Sequence, residues 1–198
     1  AHASAPWLAK NAIHESSLFV NEIKNVLESG QENKKKGMML TATLTEIKGG
    51  LSHNVTPREC DSTLDIRIPV GISCKSVEEK ISKAVQEISK KQQVEAFYSI
   101  IDETEPFEAE HNSPLVRALT LGILDIEKNR PTLIRKTGTG DMNVIGNSLS
   151  IPVVTYGPGD PHAAHTIDEK ISIDEYLRGI EVLKRTMQHL KRLHDKIK

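Results

Sequence analysis

MMLTATLTEIKGGLSHNVTPRECDSTLDIRIP, residues 38–69, decides the fold, because its apolar residues recur every second position on both sides of one turn. Leu40, Ala42 and Leu44 fall on one face and the threonines on the other, the pattern of a half-buried strand. After the turn GGLSHNVTP, Cys60, Leu64, Ile66 and Ile68 point one way while Asp65 and Arg67 point the other. Two strands joined in this way put Asn54 in the connection and Arg67 on a polar strand face.

Working outward, Leu8, Ala12, Ile13, Val20, Ile23, Val26 and Leu27 recur at spacings near three and four, which predicts a helix ending at Gly30. Ser4 with Pro6 offers its entrance, since Ser accepts from an orphan amide and Pro tolerates a first turn. QENKKKG reads as a polar, basic loop. Downstream, SVEE at 76–79 reads as a capping box, with Val77, Ile81, Ala84, Val85 and Ile88 on the helix behind it. VEAFYSII, 94–101, then reads as a strand. The order helix, strand, strand, helix, strand is a split-βαβ, ferredoxin-like domain without its first strand. AHASAPW has no initiator Met and no leader, so the sequence reads as starting inside a motif.

The acidic, proline-containing DETEPFEAEHNSP marks a boundary. Beyond it, Asn112 or Ser113 with Pro114 opens a helix carrying Leu115, Val116, Leu119, Ile123 and Ile126. TLIRK and IPVVTY read as short buried strands, separated by the glycine-rich TGTGDMNVIG and a short helix. Ser172 with Glu175 reads as a second capping box before a long closing helix with Ile173, Leu177, Ile180, Leu183, Met187, Leu190 and Ile197. Alternating strands and helices suggest an α/β unit, although two strands are too few to complete one.

The chain is 37% hydrophobic and 27% charged with a net charge of -1, which suits a soluble globular protein and argues against nucleic-acid binding through bulk positive charge. No apolar run approaches a membrane span. Cys60 and Cys74, without a CxxC spacing, read as reduced thiols of a cytoplasmic protein.

Three stretches carry chemistry. In YGPGDPHAAHTIDE, His165 stands where a loop meets a helix start, with Asp160, His162 and Asp168 nearby. Neutral imidazole is a good zinc ligand, and a hydrogen-bonded loop histidine is the competing reading. TGTGD at 137–141 is either a backbone cradle for an oxygen or a tight turn. Arg67 can hold a carboxylate and Asn54 can orient an amide, while pairing of Arg67 with Asp65 is the alternative.

Together, HASAP at 2–6, GGLSHNVTPRECDSTLDIR at 49–67, GTGDMN at 138–143 and GPGDPHAAHTIDE at 157–169 resemble the dinuclear-zinc amidohydrolases that include acetylornithine deacetylase, succinyl-diaminopimelate desuccinylase, aminoacylase and carboxypeptidase G. RKTGTGDMN looks most like the lysine-biosynthesis branch, which releases lysine, and in archaea ornithine, from an amino-group carrier protein.

The resemblance implies that 1–105 are a lid, or dimerisation, domain and 106–198 the C-terminal part of an α/β zinc-hydrolase catalytic domain. It implies two zinc ions, with cobalt as the alternative metal, and makes His165 one metal ligand, the others and a glutamate base belonging to an N-terminal half not in this sequence. By the same resemblance His2 is a catalytic histidine that reaches a neighbouring subunit, Asn54 and Arg67 hold the substrate, and Gly138 and Thr139 line its pocket. Gly140 departs from the serine often found there, and His162 has no assigned role. The implied partners are an N-acylated basic amino acid or an acidic carrier protein, which Lys34, Lys35 and Lys36 could steer, and a second copy forming a homodimer; neither nucleic acid nor a membrane is implied. A desuccinylase, deacetylase or dipeptidase of the same family, and a non-catalytic dimerisation or carrier-binding module, remain open alternatives.

Overall fold

A computed structural model describes residues 1–35, 37–136, 138–160, 163–164 and 166–195. The chain divides into two compact units, Ala1–Pro106 with Lys136–Gly138, and Phe107–Arg135 with Thr139–Lys198. Among the described residues the fold is α+β, a two-stranded antiparallel sheet with five α-helices.

In the first unit the alternating stretch forms β1 (Thr41–Gly49) and β2 (Cys60–Arg67), paired antiparallel from Thr41 opposite Arg67 to Gly49 opposite Cys60. The register shifts between Leu44 and Glu46, where β1 carries one extra residue. This bulge reverses the parity of β1, so Ile47, opposite Ser62, joins Ala42 and Leu44 on the face that α1 (Ala12–Glu28) covers. Strict alternation fails here because an inserted residue moves every later side chain to the other face.

The helix boundaries differ from the sequence reading at both starts. Pro6–Leu8 is a separate 3-10 turn, and α1 begins at Ala12 under the Asn11 side chain, which accepts from the backbone N–H of Ile13 and His14. Ser4 caps nothing; its hydroxyl bonds His2. The second helix, α2 (Cys74–Gln92), is capped by Ser73 rather than Ser76: Ser73 Oγ accepts from Ser76 N–H at 3.2 Å, and Ser76 Oγ donates back to the Ser73 carbonyl at 2.8 Å. Ile23, Leu27, Leu40, Ala42, Val77 and Ile88 form the core between α1, α2 and the sheet. The loop read as merely polar contributes to it. Gln31, 5% exposed, donates to the Leu40 carbonyl at 2.9 Å and accepts from Leu40 N–H at 2.7 Å, while Glu28 accepts from Ala42 N–H at 2.9 Å. Side-chain groups thus do for these backbone groups what a third strand would do.

VEAFYSII forms no strand ladder among the described residues. Gln93 adopts a left-handed conformation that ends α2, and Val94 N–H is spent on the Ser89 carbonyl. Phe97 and Ile101 stand largely exposed. An extended segment becomes a strand only when a second backbone answers its hydrogen-bonding groups.

The second unit packs α3 (Pro114–Glu127), capped by Ser113 with Pro114 in its first turn, along α5 (Ile173–Asp195). Gly122 of α3 lies against Val182 and Thr186 of α5, with Val116, Ala118 and Leu119 buried on the same helix, while Gly179 of α5 faces Pro158. His189 Nε2 lies 2.8 Å from Asp125 Oδ2, and Arg178 pairs with Glu127 at 3.2 Å. The short helix expected after the glycine-rich stretch is α4 (Asp141–Leu149). TLIRK and IPVVTY form no strand ladder among the described residues. Glu175 does not complete a capping box with Ser172; its carboxylate accepts instead from the N–H of Gly159, whose φ of 99° makes glycine the natural residue there. Ile197 lies outside the described residues.

Candidate functional site

The N-terminal segment runs beside the loop that joins β1 to β2. His2 and Val55 form an antiparallel bridge, in which Ala3 N–H donates to the Asn54 carbonyl at 2.8 Å and Thr56 N–H donates to the Ala1 carbonyl at 2.9 Å. The two hydrogen bonds flank His2 and bring the first and second stretches of the resemblance together. The His2 ring is exposed, and its Nδ1 lies 2.7 Å from Ser4 Oγ and 3.1 Å from Ser4 N. Asn54 Oδ1 accepts from the Ser52 hydroxyl at 2.7 Å, which leaves the side-chain NH2 as the group Asn54 offers a ligand.

A cleft of about 570 Å³ opens in the same region, between this bridge and the start of α1. Ala3, Pro6, Asn11, Gly49, His53 and Val55 are among its lining residues. Gly49 faces Ile13 and the Glu59 carbonyl closely, whereas Leu51 is fully exposed at the tip of the loop. The cleft therefore presents polar loop groups over a partly apolar floor. His53 lines the cleft and Ser4 contacts the His2 ring, and neither was singled out as a site residue by sequence reasoning. The signal for Ser4 was the His-x-Ser spacing, which a helix-cap reading concealed.

Arg67 ends β2, at the far end of that strand from the loop carrying Asn54, and its guanidinium is 2.6 Å from Asp65 Oδ2. Thus the structure brings His2 and Asn54 together and engages Arg67 with its strand neighbour. Gly138 sits at an exposed bend where an added Cβ would meet only Lys136 Cε, at an ordinary 3.5 Å. Thr139 is exposed just before α4. Gly140 is the N-cap of α4; its N–H donates to Asn143 Oδ1 at 3.2 Å and its carbonyl accepts from Asn143 N–H at 2.9 Å. With φ near -164° and nothing within 4 Å of the place a Cβ would take, position 140 has room for a serine. His165, His162 and Lys36 lie outside the described residues. Asp160 and Asp168, which neighbour His165 in sequence, are both exposed.

One group of three potential metal donors occurs among the described residues, Cys74, Glu103 and Glu105, with ligand atoms within 4.8 Å of one another. Its chemistry is that of a helix cap. The Glu105 carboxylate accepts from Cys74 N–H at 3.1 and 3.2 Å, answering an orphan donor at the start of α2. Burial first, and then the charges of Glu105 and Glu103, push the Cys74 thiol up to about 11, so it stays protonated at neutral pH and ligates metal poorly. No such group forms in the second unit among the described residues, so no zinc donor set is assembled among them there.

Residues 1–93 match the family model of the peptidase dimerisation domain, M20_dimer. The chain is 33% identical over 178 residues to a LysW-lysine/LysW-ornithine hydrolase of Saccharolobus islandicus, covering 89% of this chain and 48% of that protein. Its identity to the protein of the same description from Saccharolobus solfataricus is 32%, with the same coverage. The chain thus spans about half the length of the curated relatives it matches. Among solved structures, an M20 family metallo-carboxypeptidase from Sulfolobus solfataricus superposes with a TM-score of 0.74 at 17% identity, covering 96% of this chain and 55% of that one. Aminopeptidase PepT from Bacillus cereus gives 0.73 at 20% identity, covering 96% and 48%. Residues 1–93 thus carry a peptidase dimerisation domain, and the chain as a whole is similar to the LysW-lysine/LysW-ornithine hydrolases.

Proposed function

We propose that this chain is part of a metal-dependent amide hydrolase that releases lysine, or ornithine, from an N-acylated or carrier-protein-linked form. The single observation that carries the reading is the bridge between His2 and Val55. It joins the backbones around His2 and Asn54 beside a cleft lined by Ala3 and Val55, in a chain whose relatives are described as LysW-lysine/LysW-ornithine hydrolases. In this reading residues 1–105 are the lid that joins two copies as a homodimer, and 106–198 belong to the catalytic domain.

Each residue then has a chemical task. His2 donates a hydrogen bond to the oxygen that gains charge as an amide carbonyl becomes tetrahedral. Asn54, its carbonyl already held by Ser52, donates through its NH2 to the substrate's amide oxygen. Arg67 exchanges Asp65 for the carboxylate end of the substrate, a swap of one exposed ion pair for another. Gly138 and Thr139 line the pocket before α4. His165 is the residue that would hold a zinc ion, or cobalt in its place; when bound, the metal supplies Lewis-acid polarisation and an acidified water. Lys34 and Lys35, exposed and next to Lys36 in sequence, supply positive charge that attracts an acidic carrier.

The test is hydrolysis by the full-length protein, supplied with zinc or cobalt, of carrier-linked lysine, N-acetylornithine and N-succinyl-diaminopimelate in parallel. Lysine release from the carrier is expected, and its loss in His2→Ala. Preference for N-succinyl-diaminopimelate, or turnover indifferent to His2→Ala, rejects the assignment, and preference for N-acetylornithine narrows it to the acylated form. The 198-residue chain by itself is expected to turn over none of the three.

A further inference from the structure

Ser4 is the residue the proposed chemistry leaves unused, and it makes both contacts to the ring of His2. We propose that Ser4 is a positioning residue that holds His2 in the tautomer presenting Nε2–H outward. The backbone N–H of Ser4 lies 3.1 Å from His2 Nδ1. An amide N–H can only donate, so this longer contact favours a lone pair on Nδ1 and the proton of the neutral ring on Nε2, but by itself it holds a rotatable ring only weakly. The Ser4 hydroxyl, 2.7 Å from the same nitrogen, is then a second donor to that lone pair.

Two donors from one residue fix the ring's rotation as well as its tautomer. Both residues are themselves pinned: Ala3 N–H donates to the Asn54 carbonyl, and Ala5 N–H closes a turn on the His2 carbonyl at 2.9 Å. The His-x-Ser spacing makes the arrangement possible, because residue i+2 of this turn brings its N–H and its hydroxyl to the same side of the ring. The consequence rests on the reading of His2 as an oxyanion donor. A developing oxyanion is stabilised only by a donor, and the reversed tautomer would aim a lone pair at it.

The tautomer is read directly by nitrogen-15 NMR of the imidazole with the ring neutral. The parent protein is expected to show Nε2 protonated and Nδ1 bare; Ser4→Ala, which keeps the amide but loses the hydroxyl, admits the other tautomer, and Ser4→Thr does not. In the full-length enzyme acting on carrier-linked lysine, Ser4→Ala lowers kcat about tenfold with KM little changed, the scale of one well-placed hydrogen bond. Ser4→Thr restores kcat, and Ser4→Ala added to His2→Ala lowers it no further. A parent ring protonated on Nδ1, or a Ser4→Ala protein with the parent's tautomer and kcat, overturns the proposal. Should the tautomers behave as expected while the parent enzyme hydrolyses none of the three substrates, the hydrolase reading fails and the hold of Ser4 on the ring stands.

Discussion

Gly49→Ala tests how tightly the scaffold behind the cleft is set. Gly49 ends β1 opposite Cys60, on the face covered by the first turn of α1. A Cβ there would lie 2.9 Å from the Glu59 carbonyl oxygen, 3.0 Å from Ile13 Cγ1 and 3.4 Å from Cys60 Cα. The isoleucine can swing, but the carbonyl belongs to the backbone entering β2, so this end of the hairpin must open by a few tenths of an ångström. Overpacking of this kind costs about 1–3 kcal/mol, and the ordinary gain of alanine over glycine in a strand, roughly 0.5–1 kcal/mol, opposes it. A net loss of about 1–2 kcal/mol follows, a fall in Tm of roughly 5–15 °C for a unit near 100 residues. Urea unfolding with Ile13→Ala as the second arm of a cycle separates the two contacts, since removing Cγ1 relieves only the side-chain one. A Gly49→Ala protein as stable as its parent, or one whose whole cost disappears with Ile13→Ala, refutes the claim that backbone proximity requires glycine. In the full-length enzyme the opened hairpin also displaces the loop bearing Asn54, where a shift of about 1 Å can cost up to roughly 100-fold in rate.

Gly122→Ala drives a Cβ into Thr186 Oγ1 and to 2.9 Å from both Thr186 N and the Val182 carbonyl oxygen. It should destabilise by about 1–3 kcal/mol in thermal melts despite the better helix propensity of alanine, and Thr186→Ala should recover only part, because backbone atoms remain in the way. Mass spectrometry after alkylation of the native chain at neutral pH should find Cys60 modified well before Cys74, which is 5% exposed with its thiol pushed up to about 11; equal labelling contradicts this. The hydrogen bond from His189, against an opposing effect of burial, holds the Asp125 carboxyl below its ordinary value of 3.8. A depressed carboxylate contributes stability above its unfolded pKa and loses it as pH falls through the folded one, so the Tm deficit of Asp125→Asn should be present at neutral pH and shrink below about pH 3.8. A deficit that persists unchanged into acid rules this pairing out. Asn54→Ala should lower kcat/KM of the full-length enzyme roughly tenfold while leaving the His2 tautomer and the stability of the chain nearly unchanged, as NMR and urea unfolding would show.

The hairpin and the positions of the helices were legible because a buried face imposes a period on the sequence. The seam of α3 on α5 was not: the stripe Ile173, Leu177, Ile180, Leu183 and Met187 read as its face is exposed, and Gly179, Val182 and Thr186 are buried instead. Ser113 with Pro114 was legible for a local reason: hydroxyl and ring act within one turn. What escaped the sequence depends on partners distant along the chain or on one inserted residue. The bulge after Leu44 leaves no compositional mark, yet it decides that Ile47 rather than Glu46 shares the face of Ala42 and Leu44. Gln31 looks like any loop amide until Leu40 closes on it nine residues later. Segments 94–101 and 151–156 have the β-branched composition of strands, and composition cannot supply a second backbone. At the site, His2 and Asn54 were each marked by their motifs. That they share a bridge was not, because no periodicity connects residue 2 with residue 54.

The bridge also determines how the two residues can be separated. Asn54 supports His2 through its backbone carbonyl and offers a ligand its side-chain NH2, so one residue performs two tasks through chemically independent groups. Ser4 does the reverse, spending its N–H and its hydroxyl on a single nitrogen. Truncating Asn54 therefore removes a ligand contact without moving the imidazole, whereas truncating Ser4 disturbs the imidazole without removing any atom that a substrate would touch. Rate and tautomer should change together in the second case and part company in the first. That contrast distinguishes a cleft whose geometry is carried by the main chain from one in which the side chains merely happen to be neighbours.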